Sequence, residues 1–337
     1  MKKLLAGVFL GALFLYLAAR NVRLDEVFLQ IREIGIGELL AAVFLTTFIQ
    51  VIRAWRMGII LNPITKMDFG NLFIVSNCGY LGIIALPARM GEILRVYLFA
   101  RKSEVSLPAI FAAVLLERTL DSMVILLMAG VVLLFLPFPD WLTGPLLVLS
   151  CLMAAFLLIL LMLKSRWAKL ADYLTSLTER RGGPFSRRVL AAIQDFIGGI
   201  RILVTKRSLF QAALLSVVIW LSSVLVVYAV ARGFNLDVGL AAVVTVVVVL
   251  IIGIAIPAAP GFVGNWHWAT VVGLGLFGIG ETAAFSFAVV HHFLSIAVVI
   301  LLGLVSFPLI GVNVKELGRQ LKTAKGNPEK SPLDQRN

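Results

Sequence analysis

Six ionisable residues lie in stretches where this sequence is otherwise apolar. Arg89, Glu92 and Arg95 follow one another at intervals of three, and Glu117, Arg118 and Asp121 interrupt a second apolar run. An ionisable group inside a membrane span costs a few kcal/mol on insertion scales, so such groups face a bundle interior or a polar cavity. Three cations with three anions make a neutral, mutually paired cluster. Guanidinium groups bind phosphate by paired hydrogen bonds and stay charged when buried. A phospholipid head group is therefore a natural guest for Arg89, Arg95 and Arg118, with Glu92, Glu117 and Asp121 balancing the charge. On a helix Glu117 and Asp121 share one face and need a cation between them. A permanent salt-bridge network holding a hairpin to a helix explains the same pattern, and the spacing leaves both readings open.

The elements that must position these groups are helices in lipid. The chain has 337 residues, is 60% hydrophobic and has a mean hydropathy of +1.00. These values exclude an ordinary soluble domain and indicate a polytopic membrane protein. The net charge is +12. The basic residues sit between and after the apolar runs, where they set orientation and attract anionic lipid, so nucleic acid is not the expected partner. Cys78 and Cys151 both lie in apolar segments, which leaves no disulfide framework and no metal spacing.

Read in order, Lys2 and Lys3 precede an apolar run from Leu4 to Ala19, expected to be a retained first helix rather than a signal peptide. Val27, Phe28, Ile31 and Ile34 give Arg20 to Gly35 the pattern of an interfacial helix on the outer face. Ile36 to Leu61 is the second span, with Arg53, Trp55 and Arg56 read as its inner-face border. Phe69 to Leu86 is broken by Pro87 and Gly91 and is followed by Arg101 and Lys102. The simplest path is a re-entrant hairpin that enters from the cytoplasm and returns to it. Ser106 to Leu136 and Leu142 to Leu163 are further runs. Between 164 and 208, ten Lys and Arg residues face Asp172, Glu179 and Asp195, the strongest cytoplasmic marker in the sequence. Within that segment Val189, Ile193, Phe196, Ile197 and Ile200 form an amphipathic stripe suited to anionic inner-leaflet lipids. Apolar runs then cover 209–231, 240–256, 266–278 and 283–312, and the basic tail 315–337 stays inside. Residues 1–314 form a single transmembrane domain, with one half at about 36–163 and the other at about 209–312. The Gly-rich run Gly273 to Gly280 reads as close helix packing.

Pro87-Ala88-Arg89-Met90-Gly91 and Pro257-Ala258-Ala259-Pro260-Gly261 share the pattern P-A-x-x-G. Each follows an apolar run, and loop charges open the first hairpin to the cytoplasm and the second to the outside. Two inverted-topology halves with broken helices meeting near the midplane are the sequence sign of alternating access. The expected fold is all-α and polytopic, with hinges at Pro87, Gly91, Pro257, Pro260, Gly261 and Gly264. In the second half the polar groups are His267, His291 and His292. Adjacent helical residues point about 100° apart, so His291 and His292 do not make a metal pair, and packing or proton-linked roles are expected. No P-loop, H-E-x-x-H or G-x-S-x-G pattern occurs at a usable place, so neither a cofactor nor catalysis is expected.

With P-x-R-x-G-E-x-x-R at Pro87, Arg89, Gly91, Glu92 and Arg95, then E-R-x-x-D at Glu117, Arg118 and Asp121, the chain resembles the prokaryotic family of lysylphosphatidylglycerol synthase transmembrane, or flippase-like, domains. The family's late P-G-G-x-G-x-x-E pattern is met by Pro260, Gly261 and Gly264. Phe262 stands in place of a glycine, His267 where the glutamate is usual, and His291 or His292 near the usual later arginine. The resemblance implies a multi-helix domain of the cell (inner) membrane that moves or handles lipids. The namesake's soluble aminoacyl-transfer domain has no counterpart in these residues, and lipid aminoacylation is not expected.

The function expected is translocation of a phospholipid or other polar lipid between leaflets, without ATP. Rival readings are an embedded lipid-modifying transferase using Glu117 or Asp121 as a base, and a non-transporting subunit of an envelope-assembly system. A second copy of the chain or an envelope-synthesis enzyme is the protein partner these readings admit. The loop charges place both termini and the 164–208 segment in the cytoplasm. Cysteines introduced at Ser176 or Ser331 should therefore resist labelling from outside intact cells, and labelling there would overturn the topology.

Overall fold

The computed structural model describes residues 2–86, 90–135, 206–256 and 259–311, with short stretches between 143 and 199. The described residues are helical, with no strand among them. The helices are α1 (Lys2–Ala19), α2 (Leu24–Arg32), α3 (Ile36–Leu61), α4 (Phe69–Ala85), α5 (Met90–Ser103), α6 (Leu107–Phe135), α7 (Lys206–Gly233), α8 (Leu240–Ala255), α9 (Asn265–Gly275) and α10 (Glu281–Ser306). Single 3₁₀ turns at Pro260–Phe262 and Pro308–Ile310 precede α9 and follow α10. Most of the 164–208 segment, including Val189, Ile197 and Ile200, and all of the tail from 312 lie outside the described residues.

Three of these helices, α3, α7 and α10, are each long and apolar enough to cross a bilayer alone. Helices α1 and α2 qualify together as one broken span, bent by 83°. That bend is what a spanning helix followed by one lying along the interface would show. The outward faces are apolar. On α7, Phe210, Leu214, Leu221 and Leu225 are exposed, and on α10 Phe293, Leu301, Leu304 and Val305 are. Contiguous apolar surface of this kind is suited to lipid rather than water. The Val-rich α8 is a helix despite its β-branched side chains, because a helix satisfies its own backbone in lipid and an isolated strand does not.

The two interrupted segments end alike. Helix α4 starts at Asp68, whose side chain accepts from the backbone N–H of Asn71 at 2.9 Å. It stops at Leu86 in extended backbone, as the residue before a proline prefers. Helix α8 stops in the same conformation at Ile256, again before a proline. Pro87 and Arg89 in the first break, and Pro257 in the second, lie outside the described residues. Beyond each break a shorter helix packs back on the first, α5 on α4 and α9 on α8.

The matching glycines do different jobs. Gly91 sits inside α5, and a Cβ there would come within 2.0 Å of the Ile83 backbone nitrogen, so only glycine lets α5 approach α4 this closely. Gly261 takes a left-handed conformation, φ 66°, in the turn before α9. Of the run Gly273 to Gly280, expected to pack helices, only Gly273 does so, against Val246; Gly278 bends the chain at φ 77° with nothing near it. The second break is held by the buried Asn265, whose amide donates to the Gly253 and Ile256 carbonyls at 3.2 Å each. Both carbonyls belong to the last turn of α8, and that of Gly253 also accepts from the Ile256 N–H at 3.3 Å.

Helix α1 seals that break from outside. Gly264 has φ 95°, and a Cβ on it would lie 1.9 Å from the Gly11 carbonyl oxygen. Gly264→Ala should therefore both strain the backbone and push α1 away. Thermal melting of the purified protein should fall clearly for Gly264→Ala and stay at the parent value for Gly280→Ala, where a Cβ would meet nothing within 4 Å. Equal melting of the two variants would remove α1 from this role.

Candidate functional site

The charged cluster is built by five helices, with α4 contributing Tyr80. From α6 come Glu117, Arg118 and Asp121, from α5 Glu92 and Arg95, and from α3 Arg53 and Arg56. Helix α7 contributes the neutral partners Ser216 and Trp220. Arg56, Arg95 and Glu117 are completely buried.

Glu117 is the hub. Arg95 donates to it through both terminal nitrogens, each at 2.8 Å, a forked pair of the strongest type. The Tyr80 hydroxyl donates at 3.3 Å, and Arg56 Nη2 lies at 3.3 Å. Asp121 is the second anchor. It accepts from both Arg56 terminal nitrogens and, at 3.2 Å, from the Trp220 indole N–H. Arg56 Nη1 also donates to Ser216 Oγ at 2.6 Å, and that hydroxyl in turn donates to the Ala212 carbonyl at 3.0 Å. Arg56 thus ties α3 to α6 and α7 together. The Tyr80 ring carries two guanidinium groups, Arg95 at 4.7 Å and Arg53 at 4.9 Å from its centroid.

The expectation that Arg56 marks an inner-face border is corrected. Met57 to Leu61 continue the apolar helix past it, and Arg56 is completely buried within the bundle, where its ion pairs with Glu117 and Asp121 make the burial tolerable. That apolar continuation is the signal that could have found it. Ser216 and Trp220, neutral residues four apart on an apolar helix, carried none.

Arg118 is held differently. Its side chain is 39% exposed, and three carboxylates share it loosely: Glu92 at 3.3 Å, Glu117 at 3.4 Å and Asp121 at 3.8 Å. It borders a cavity of about 270 Å³ between the two hairpins. Arg53, Gln50 and Thr46 reach the cavity from α3 at helical spacing, and Glu92, Asp121 and Tyr80 complete its charged side. Phe262 and Trp266 beside the second break, and His291 and Ser295 on α10, also line it. Several of these lining residues hold buried polar atoms with no protein partner among the described residues: Gln50 Oε1, Glu92 Oε2, Arg118 Nε, Trp266 Nε1 and His291 Nδ1. Buried polar atoms are nearly always satisfied by protein, water or ligand.

Of the phosphate ligands expected from the sequence, Arg118 alone is described at the cavity. Arg95 has both terminal nitrogens on Glu117, and Arg89 lies outside the described residues. The three histidines do gather. The His267 and His292 rings are 4.8 Å apart, and the Trp266 ring meets His291 at 5.2 Å and His292 at 5.1 Å in tilted contacts. His292 Nε2 donates to the Gly261 carbonyl at 2.8 Å, and His267 Nδ1 accepts from the Gly264 N–H at 3.4 Å. Both imidazoles therefore brace the second break.

A polytopic helical bundle with broken hairpins around a charged internal cavity defines the class, an integral membrane protein. Residues 4–303 match the family model for the lysylphosphatidylglycerol synthase TM region, and the chain belongs to that family. It is also similar to a UPF0104 membrane protein of Methanothermobacter thermautotrophicus, 23% identical over 239 residues that make up 67% of this chain and 70% of the relative.

Removing Arg56 takes the close cation from Asp121 while Glu117 keeps Arg95, and breaking one side of a buried pair costs about 3–5 kcal/mol. Arg56→Ala should lose the folded protein or melt far below the parent. The double variant Arg56→Met with Asp121→Leu removes charge of both signs and should recover much of that loss in the same melting assay. A double variant no more stable than Arg56→Ala would mean that charge pairing is not what this site contributes.

Proposed function

We propose that the protein passes a phospholipid, or another lipid with a phosphate-bearing head group, between the leaflets of a prokaryotic cell membrane. The observation that carries this reading is Arg118, a guanidinium loosely shared among three carboxylates at the wall of an internal cavity. A phosphate can replace those weak contacts with a paired hydrogen bond, whereas Arg56 and Arg95 stay locked to Asp121 and Glu117. The two tight pairs frame the site and Arg118 receives the cargo. The cavity volume is near the lower end for ligand sites and suits a head group, with acyl chains left in lipid.

The two hairpins act as inverted counterparts, and their breaks provide the movement. Supporting this are the like terminations at Leu86 and Ile256 and the cavity lying between the hairpins. Both termini and the 164–208 segment face the cytoplasm, where the basic residues meet anionic lipid. Movement is downhill or ion-coupled.

Arg118→Lys keeps the charge and loses the planar fork. The variant should melt like the parent in detergent yet lose most leaflet exchange of labelled lipid in liposomes. Full exchange by a well-folded Arg118→Lys protein would remove Arg118 from cargo binding.

A further inference from the structure

The helix that follows the second break starts with a titratable cap. Gly264 is the N-cap of α9, and its N–H needs an acceptor from outside the helical ladder. In a capping box the residue three positions on reaches back to accept it, and that residue is ordinarily Glu or Gln. Here it is the buried His267, whose Nδ1 takes the Gly264 N–H at 3.4 Å. A glutamine carbonyl always accepts, whereas an imidazole nitrogen accepts only while it carries no proton. A proton on His267 Nδ1 would set donor against donor. The residue it would push on has little room, with φ 95° and the Gly11 carbonyl of α1 packed against it.

The surroundings offer such a proton no anion. Helices α8, α10 and α1 pack against α9. Helix α8 has no ionisable residue, and α1 beyond Lys2 and Lys3 has only Tyr16, which is exposed. Helix α10 presents His291 and His292, while its Glu281 lies at the start of the helix, bonded to Asn21. The 3₁₀ turn of the break also meets α4, where the Tyr80 hydroxyl bonds Glu117 and Cys78 is buried in a separate apolar cluster. The charged groups Arg53, Glu92, Arg118 and Asp121 line the cavity with His291. None of these carboxylates is within ion-pair distance of an imidazole among the described residues. The His267 and His292 rings are 4.8 Å apart, and a charge on both would repel.

We propose that the second break is a proton-linked latch, closed by neutral His267 and opened as protons are taken up. The inference does not depend on what the cavity carries. Closed, the break has no place for a proton on His267 Nδ1. Open, the imidazole meets water and titrates at its ordinary value of about 6.5. Protons therefore favour the open form, and acid draws the equilibrium toward it. The closed form is at full strength above that value and is lost progressively below it. For one histidine the ratio of open to closed rises about thirtyfold between pH 8 and pH 5. Opening frees the Gly264 turn and with it α1, which rests on that turn through Gly11.

Hydrogen exchange of the purified full chain, followed by mass spectrometry, reads such rare opening directly. Rates are expressed relative to the unstructured chain at the same pH, which removes the intrinsic pH dependence of exchange. Protection of residues 259–268 should fall about thirtyfold from pH 8 to pH 5 in the parent, and protection of α7 should stay the same. His267→Gln supplies an acceptor that does not titrate, so protection of 259–268 should no longer change with pH. His267→Glu, which titrates below pH 5, should behave as His267→Gln does. Melting at both pH values checks that each variant is folded. Equal protection of 259–268 at the two pH values in the parent would overturn the latch. A matching fall in α7 would mean general loosening by acid and would overturn it too. A fall that persists in both folded variants would take the role away from His267.

Discussion

The structure depends on the pairing of Arg56 with Asp121 and of Arg95 with Glu117 in a place with little water. Each ion is costly to bury, and mutual attraction offsets the cost only when geometry is good and the remaining hydrogen-bonding capacity is met. Here Ser216, Trp220 and Tyr80 supply part of that capacity, while Nε of Arg56 and of Arg95 has no hydrogen-bond partner among the described residues. The result joins α3, α5, α6 and α7 through side chains rather than through apolar packing alone. In lipid, where the surroundings are as apolar as leucine, apolar contact offers little drive for helices to associate, and polar bonds add specificity.

On the lipid-binding proposal, that arrangement separates two duties within one cluster. The tight, fully buried pairs set the positions of helices, and the loose guanidinium beside them remains free to exchange partners. A site with every cation tightly paired would hold its shape and bind nothing. One with every cation loose would leave buried charge poorly compensated. The difference between 2.8 Å at Arg95 and 3.3 to 3.8 Å at Arg118 distinguishes the two duties.

Much of this was legible in the sequence because lipid simplifies the code. Apolar length and the absence of a lipid-stable alternative gave the helices, including the Val-rich α8. Prolines gave both breaks, since the residue before each is driven into extended backbone. The charged residues of α5 and α6 announced themselves by their cost. Arg56 did not, because a charge five residues from a helix end looks like an interfacial anchor unless the apolar residues beyond it are weighed. The roles of Tyr80, Ser216 and Trp220 were beyond reach, since an aromatic or hydroxyl in a span is common and its partner is set by tertiary packing. The histidines were visible as polar groups, but their hydrogen bonds to Gly261 and Gly264 follow from backbone geometry that composition does not encode.

The docking of the first helix has a consequence for biosynthesis. Besides Gly11 against Gly264, Asn21 bonds Glu281 at 3.2 Å, the Arg23 amide bonds Thr282 at 3.3 Å, and Ala18 packs near Phe285. All of these partners are translated some 250 residues later. Helix α1 thus leaves the ribosome long before the surface it belongs to exists, and waits in the bilayer as a solitary segment. Its sequence fits that wait: after Lys2 and Lys3 it carries no charge through Ala19, so nothing in it demands a partner in the meantime. The charge-bearing helices wait for far less of the chain, Arg56 of α3 for Asp121, 65 residues on, and Arg95 of α5 for Glu117, 22 residues on.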